Sequence, residues 1–353
     1  MGDLGLCSYT TTTTTTAALA SSSSSAYTMA LKTPPPNRPR FSAFARLDNH
    51  LEVAMAEKLA REEELNSFLL SRATAVNQAL KDHSLIPPDS SLARPGKRIR
   101  PALCLAACEL VGGSSESALP AACAVEIIHQ ISILGGMSSN SDGAPRGQLH
   151  GQDNDRGQSG EQLCDQARSY GQGCRSAALG PALYNIVSAT KGVAPEKLTR
   201  VIVELCRASG ADGLVSGTFM DSATCVDVHR LHYVHLRKTA ALLESSVASG
   251  AILGGGSDAA VERLRRYARY ISLLFSVVVD ILDHHHHYGP HHDSHDLAAD
   301  KRRATYTDLL GIEASEVLAH QLHQEAKLQL DMFDAFKASP LRKLADYLLQ
   351  LIQ

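Results

Sequence analysis

The sequence predicts an all-α protein. Beyond about residue 48, apolar residues recur at intervals of three and four, which is the spacing of one buried helical face. No convincing run alternates apolar and polar residues as a half-buried strand would. Of the 353 residues, 44% are hydrophobic, which is enough for a sizeable core and too much for a largely disordered chain.

The first 47 residues differ in composition from the rest of the chain. They contain runs of threonine (Thr10–Thr16), serine (Ser21–Ser25) and proline (Pro34–Pro36), and Asp3 is their only acidic residue. A hydroxyl-rich, acid-poor and weakly basic N-terminus is typical of an organellar transit peptide. A plain disordered tail is the alternative. We expect one folded domain over residues 48–353.

Helices are expected one after another within this domain. The first follows the apolar positions Leu51, Met55, Leu59, Leu65 and Leu69. Later apolar runs with helical spacing cover residues 102–111, 118–134, 198–209, 228–253, 261–282, 315–336 and 341–352. Pro120 would lie in a first helical turn, where a missing N–H is tolerated.

Two segments break this helical pattern. Residues 135–178 hold nine of the 25 glycines and few aliphatic residues, so they cannot bury enough apolar surface to offset their ordering entropy. We expect a mobile, low-complexity loop there. Residues 283–295 contain seven histidines between His284 and His295. A loop is the favoured interpretation, although neutral imidazoles also bind Zn²⁺, Ni²⁺ or Cu²⁺.

Charge, hydropathy and cysteine usage exclude several classes of protein. The chain has 34 basic and 37 acidic residues, which argues against nucleic-acid binding driven by net charge. No stretch approaches the ~18 consecutive apolar residues of a membrane-spanning helix. Eight cysteines are spread along the chain, unlike the dense pattern of a small disulfide scaffold, so a reducing compartment is expected.

Two segments carry cations in positions suited to an anion. Lys97, Arg98 and Arg100 precede a predicted helix, whose free backbone N–H groups favour phosphate. A basic surface turn is the alternative. Lys238 and Thr239 fall inside an apolar helix, where a lysine is costly unless it meets an anion or a carboxylate.

Two further motifs carry a histidine and a pair of carboxylates. His129 follows Glu126 on an apolar helix, where a satisfied core histidine is the commoner case. Asp280 and Asp283 are three residues apart on one helical face. Such a pair can hold Mg²⁺ together with a substrate phosphate, or it can be an ordinary acidic helix end.

Taken in order, these motifs resemble those of the trans-isoprenyl diphosphate synthases. The resemblance covers about residues 50–134 and 179–353, includes the segment 300–306, and is closest to the plant plastid geranylgeranyl diphosphate synthase group. It implies one large helical bundle around a deep cavity. There, two facing aspartate-rich motifs would bind Mg²⁺ and an allylic diphosphate, whose ionisation gives a carbocation that isopentenyl diphosphate attacks.

The resemblance also implies roles for individual residues. Lys97, Arg100 and His129 match the isopentenyl diphosphate site of the family. Lys238 and Thr239 match its allylic diphosphate site.

The aspartate-rich motifs depart from the family pattern. Gly136 and Met137 stand where the paired aspartates of the first motif belong, and Val279 replaces the first aspartate of the second, leaving Asp280 and Asp283. The carboxylates hold the Mg²⁺ ions that neutralise the leaving diphosphate. Their loss is expected to cost several powers of ten in rate, so we expect no catalysis by this chain alone.

This pattern is similar to that of non-catalytic small subunits of heteromeric geranyl or geranylgeranyl diphosphate synthases. The resemblance implies a plastid protein that binds a catalytic large subunit, with Mg²⁺ supplied through that partner. It implies a partner-binding role for Cys104 and Cys108, whose spacing puts both thiols on one helical face. Two small buried hydrophobic residues are the alternative.

Two other functions stay open. One is a weakly active Mg²⁺-dependent prenyltransferase that uses Asp280 and Asp283 with a non-standard cluster at Asp142, Asp153 and Asp155. The other is a metal-binding protein, built on an inactive prenyltransferase fold, that uses the histidines of residues 284–295.

Overall fold

The computed structural model describes Met55 and residues 57–82, 98–137, 179–221, 227–288 and 304–353. Every regular element in these ranges is a helix, which confirms the all-α class. Several predictions lie outside them: the N-terminal 47 residues, the loop beyond Met137, Lys97, the alternative aspartate cluster and the histidines from His291 onward.

The helices follow one another with short connections. In chain order they are α1 (Glu63–Asp82), α2 (Ile99–Leu110), α3 (Ser115–Met137), α4 (Pro195–Ser209), α5 (Leu214–Asp221), α6 (Val228–His235), a π-helical turn (Leu236–Ala240), α7 (Ala241–Leu253), α8 (Asp258–Tyr288), α9 (Tyr306–Leu310), α10 (Ile312–Leu328) and α11 (Ala335–Gln350). Residues 57–61 and 179–189 are also helical.

Helix α7 forms the centre of the bundle. Every residue from Leu242 to Leu253 is buried, and α7 packs against α2, α3, α4 and α8. A helix that is apolar on all sides is stable when neighbouring helices cover it on all sides. The π-helical turn directly precedes α7, so the central position of α7 also places the turn next to the interior of the bundle.

Helix α8 is tied to its neighbours by two bidentate ion pairs. Arg269 donates to both carboxylate oxygens of Glu244 on α7, each at 2.8 Å. Arg265 donates to both oxygens of Glu204 on α4, at 2.8 and 2.7 Å. Bidentate pairs fix direction as well as distance, so they orient the face of α8 that carries Asp280.

Two helix ends lie further along the chain than the sequence predicted. Helix α3 continues through Gly135 and Gly136 to Met137, so the start of the expected loop is wrong. Each glycine costs a helix interior only about 1 kcal/mol, which a well-packed helix tolerates. Helix α8 likewise includes His284–His287 and ends at Tyr288, just before the Gly289–Pro290 pair that disfavours a continued helix.

Two other details of the helix assignment were wrong. Pro120 lies in the second turn of α3, because the helix begins at Ser115. The predicted helix over 315–336 is two helices, since Asp334 caps α11 by accepting a hydrogen bond from the Lys337 N–H at 2.9 Å. The apolar spacing continues through the turn between them and hides the break.

Candidate functional site

Two of the three residues expected at the isopentenyl diphosphate site lie side by side. Arg100 is in the first turn of α2 and His129 is on α3, with 2.9 Å between Arg100 Nη1 and His129 Nε2. Arginine only donates hydrogen bonds, so His129 accepts through Nε2. Burial, together with the charges of Arg100 and Arg98, holds the pKa of His129 well below its usual range. Burial lowers the pKa of Arg100 to about 10, so the guanidinium stays charged at neutral pH.

Arg98 was expected to contribute to the phosphate cradle, and the structure gives it a different position. Its side chain is buried in an ion pair with Glu126 of α3, and its Nε donates to the Asn77 side chain at 2.9 Å. Its backbone is left-handed, with φ of 46°. The buried pair directs Arg98 into the bundle. Of the two arginines that the structure describes in this segment, Arg100 is therefore the one suited to binding an anion.

The residues expected at the allylic diphosphate site lie on the π-helical turn. Lys238 is half-buried and Thr239 is buried. The sequence predicted one continuous helix over 228–253 and missed this turn. Turns of this kind are rare and frequently mark functional sites. A Cβ added to Gly217 of α5 would lie 2.5 Å from the Lys238 backbone nitrogen, so α5 packs directly on the backbone of the turn.

The two remaining aspartates lie near the end of α8. Asp280 is buried and Asp283 is half-buried. Asp280 Oδ2 accepts a hydrogen bond from the backbone N–H of Tyr306, at the start of α9, at 2.8 Å. This carboxylate therefore helps to hold the chain where it returns to the bundle after residue 303.

Tyr306 joins this acidic end of α8 to the residues before the π-helical turn. Its ring is fully buried and stacks on His235, with centroids 5.4 Å apart and planes 20° apart. Its hydroxyl lies 3.2 Å from His232 Nδ1. Sequence reasoning missed His232 and His235, because helical spacing does not show which segments meet after α9 folds back.

The end of α3 carries no carboxylate. From residue 130 to its end at Met137, the helix contains no aspartate or glutamate. Among the residues described, no group of three or more His, Cys, Asp or Glu side chains is placed to hold a metal ion. The expected donors at Asp280 and Asp283 thus come from one helix, and their metal role stays a prediction.

Cys104 and Cys108 face the interior of this chain. Both are fully buried on α2, opposite Gly250 and Gly254 of α7. A Cβ added to Gly250 would overlap the Cys104 carbonyl oxygen, and one added to Gly254 would lie 2.6 Å from that of Cys108. Burial raises the pKa of both thiols. The two thiols share one helical face as predicted, but that face packs within the chain. Any effect of the thiols on a partner would therefore be indirect, through the packing of α2.

The first histidines of the run lie at the end of α8. The rings of His284 and His285 are 6.3 Å apart and tilted by 55°. A metal role for the run stays a prediction.

Comparison with known proteins places this bundle in a family. A family model described as "Polyprenyl synthetase" matches residues 181–331. The chain is 39% identical over 325 residues to "Geranylgeranyl pyrophosphate synthase, chloroplastic" from Capsicum annuum, covering 87% of this chain and 83% of the relative. It is 39% identical over 307 residues to "Heterodimeric geranylgeranyl pyrophosphate synthase large subunit 1, chloroplastic" from Arabidopsis thaliana, covering 80% and 78%.

A solved structure agrees with this relationship. The apo crystal structure of an FPP/GFPP synthase from Zymomonas mobilis matches with a TM-score of 0.61 and 25% identity, covering 81% of this chain and 99% of that one. In the described part of the chain, no helix is both long enough and apolar enough to cross a membrane.

These relatives test part of what the sequence predicted. Both plant relatives carry chloroplastic names, which supports the expected plastid location. They are named as a synthase and as a large subunit, so the expected likeness to small subunits stays a prediction. The extent of the identity and the shared all-α bundle show that the chain belongs to the polyprenyl synthetase family, the trans-isoprenyl diphosphate synthases.

Proposed function

We propose that this chain is a regulatory subunit that binds diphosphates and assembles with a catalytic geranylgeranyl diphosphate synthase in plastids. The observation that carries the proposal is the end of α3. That helix brings His129 beside Arg100, yet it has no carboxylate from residue 130 to Met137. Without a first acidic cluster there, the described end of α3 supplies none of the Mg²⁺ ligands that would assist departure of the allylic diphosphate.

Retained cationic groups support diphosphate binding. Arg100 keeps its charge beside a neutral His129, and guanidinium groups are well matched to phosphate oxygens. Lys238 is half-buried on a turn that is pinned by α5. Asp280 and Asp283 could share a single Mg²⁺ ion with a bound diphosphate, since Mg²⁺ is commonly held by one or two carboxylates plus substrate phosphates. The ions needed for turnover would come with the catalytic partner.

An exposed apolar face supports assembly with another chain. In the helix over residues 179–189, Ala182 and Ile186 are buried, whereas Tyr184 and Val187 are 73% and 59% exposed. These two lie three residues apart on one outer face, and exposed aromatic residues are common at protein interfaces. The large-subunit relative is named as heterodimeric, which favours a prenyl diphosphate synthase chain as the partner.

A paired assay tests the proposal. The chain without its expected transit peptide is purified alone and with a plastid geranylgeranyl diphosphate synthase, and both samples receive isopentenyl diphosphate, an allylic primer and Mg²⁺. We expect no turnover by the chain alone, and a stable complex with altered rate or product length. Turnover by the isolated chain would overturn the regulatory role and favour the weakly active prenyltransferase that uses Asp280, Asp283 and a non-standard cluster.

The interface has its own matched variants. We expect the double substitution Tyr184→Ser, Val187→Ser to weaken the complex in analytical ultracentrifugation. Leu70→Ser is the control, because Leu70 is 61% exposed and belongs to a different helix, α1. Equal complex stability in both variants would remove this face from the proposal.

A further inference from the structure

The π-helical turn depends on support from outside its own helix. The i→i+5 pattern of such a turn is rare, and the turn at Leu236–Ala240 lies between α6 and α7. Gly217 of α5 packs against the backbone of Lys238. His235, the residue immediately before the turn, is 2% exposed.

Tyr306 supplies the support on the His235 side. Its ring stacks on His235 with 5.4 Å between centroids, and its hydroxyl reaches His232 on the same helix. Its backbone N–H is fixed by Asp280 of α8 at 2.8 Å. The capping box of α9, in which Thr305 and Asp308 exchange hydrogen bonds at 3.1 and 3.0 Å, fixes the backbone on both sides of Tyr306.

We propose that Tyr306 is a positioning residue that links the acidic end of α8 to the π-helical turn and thereby fixes Lys238 and Thr239 for anion binding. The link consists of two contacts, Asp280 to the Tyr306 backbone and the Tyr306 ring to His235, and of the peptide bond that joins His235 to the turn. The anion-binding role of the turn rests on the proposed function, whereas the mechanical link does not.

The test compares the full chain carrying Tyr306→Leu with the parent. Two properties are measured: amide hydrogen exchange at residues 236–240, and binding of inorganic pyrophosphate in the presence of Mg²⁺ by calorimetry. We expect exchange at the turn to rise by about tenfold, because loss of the stacked ring allows local opening. We expect pyrophosphate affinity to fall by at least about fivefold, since misplaced binding groups lose affinity. Tyr306→Phe keeps the ring and should change both by less than about threefold.

Two further variants separate the link from general loss of stability. Tyr347→Leu is the matched control, because Tyr347 is also a buried tyrosine with a hydrogen-bonded hydroxyl, which donates to the Met55 carbonyl at 2.6 Å and not to the segment before the turn. It should leave exchange at residues 236–240 near the parent level. His235→Leu removes the other ring of the same stack and should raise exchange and lower affinity as Tyr306→Leu does. If Tyr306→Leu does not fold, His235→Leu serves as the test of the link.

The outcomes for the link and for the proposed function differ. Unchanged exchange at the turn in both Tyr306→Leu and His235→Leu would overturn the link. Raised exchange in a chain whose parent binds no pyrophosphate would keep the link and overturn the diphosphate role of the turn. Lys238→Ala identifies the site, because it should weaken pyrophosphate binding at least as much as Tyr306→Leu while leaving Tyr306 and Arg100 in place.

Discussion

Arg98 combines two features that are costly separately. Its backbone adopts a left-handed conformation with φ of 46°, which non-glycine residues rarely adopt, and its guanidinium is buried. The ion pair with Glu126 and the hydrogen bond to Asn77 supply the compensating contacts. Because this pair joins the start of α2 to α3, it also fixes the approach of Arg100 to His129.

The first prediction concerns this buried pair. We expect Glu126→Gln to lower the free energy of unfolding by about 3–5 kcal/mol, because the Arg98 charge would stay buried without a counter-charge. Glu262→Gln is the control, since Glu262 is half-exposed and pairs with Arg266 at 3.1 Å and with Arg265, which keeps its bidentate pair with Glu204. It should cost less than about 1 kcal/mol. Both are measured by urea denaturation. Equal losses would contradict a structural role for the Arg98–Glu126 pair.

The second prediction concerns the neutral state of His129. Its pKa is held well below the usual range in the folded chain. In the unfolded chain, the pKa of the same imidazole is about 6.5. Below that pH the unfolded chain binds more protons than the folded chain, so stability falls as the pH falls. His129→Gln keeps an acceptor for Arg100 and removes this titration. Between pH 6 and 5 the variant should lose about 1 kcal/mol less stability than the parent.

Urea unfolding at pH 7.5, 6 and 5 measures this difference. His232, whose pKa is also lowered by burial, is present in both chains and cancels in the comparison. Parallel pH dependence in parent and variant would mean that His129 becomes protonated in the folded chain over this range.

At the scale of elements, the contact between α2 and α7 is set by small residues. Gly250 and Gly254 lie against the backbone at Cys104 and Cys108, and the Ser246 hydroxyl of α7 donates to the Arg100 carbonyl at 2.8 Å. No side chain separates the two helices at the glycines. The close contact thus holds the first turn of α2, with Arg100, against the central helix.

The third prediction tests this close contact. We expect Gly250→Ala to destabilise the fold by about 1–3 kcal/mol, because the added methyl meets backbone atoms and the helices must separate. Gly180→Ala is the matched control: Gly180 is helical, and nothing lies within 4 Å of a Cβ added there. It should be neutral or stabilising by up to about 1 kcal/mol. Thermal unfolding measures both, and a neutral Gly250→Ala would show that α2 moves away freely.

The same elements show how far the sequence could predict the structure. Apolar spacing correctly located α7 and α8, because burial of a helical face leaves a periodic signal. It missed the π-helical turn, because a π-helical turn and an α-helix contain the same kinds of residues and differ only in their backbone hydrogen bonds. It placed Cys104 and Cys108 on one face, but small apolar side chains suit a partner surface and an internal contact equally well. The meeting of Tyr306 with His235 depends on how the chain returns after α8, which no local pattern encodes.

At the scale of the molecule, the described bundle is held by contacts between distant parts of the chain. The Tyr347 hydroxyl on α11 donates to the Met55 carbonyl at 2.6 Å, across 292 residues of sequence. The Tyr267 hydroxyl on α8 donates to the Leu341 carbonyl at 2.8 Å. On α11, Asp346 contacts both His323 and Lys327 of α10. The last helix therefore closes the bundle and connects it to the start of the described chain.

The fourth prediction follows from the central position of α7. Amide exchange is slowest where opening requires the whole core to unfold, and α7 is buried along its length and covered by four helices. We expect its amides to exchange at a rate set by global unfolding. The five-residue helix α9, in which Asp308 and Leu310 are exposed, should exchange at least about 100-fold faster through local opening. Exchange of α7 at the rate of α9 would contradict this, because it would mean that the bundle opens at its centre. In that case α2, with Arg100, and α8, with Asp280, would move independently of each other.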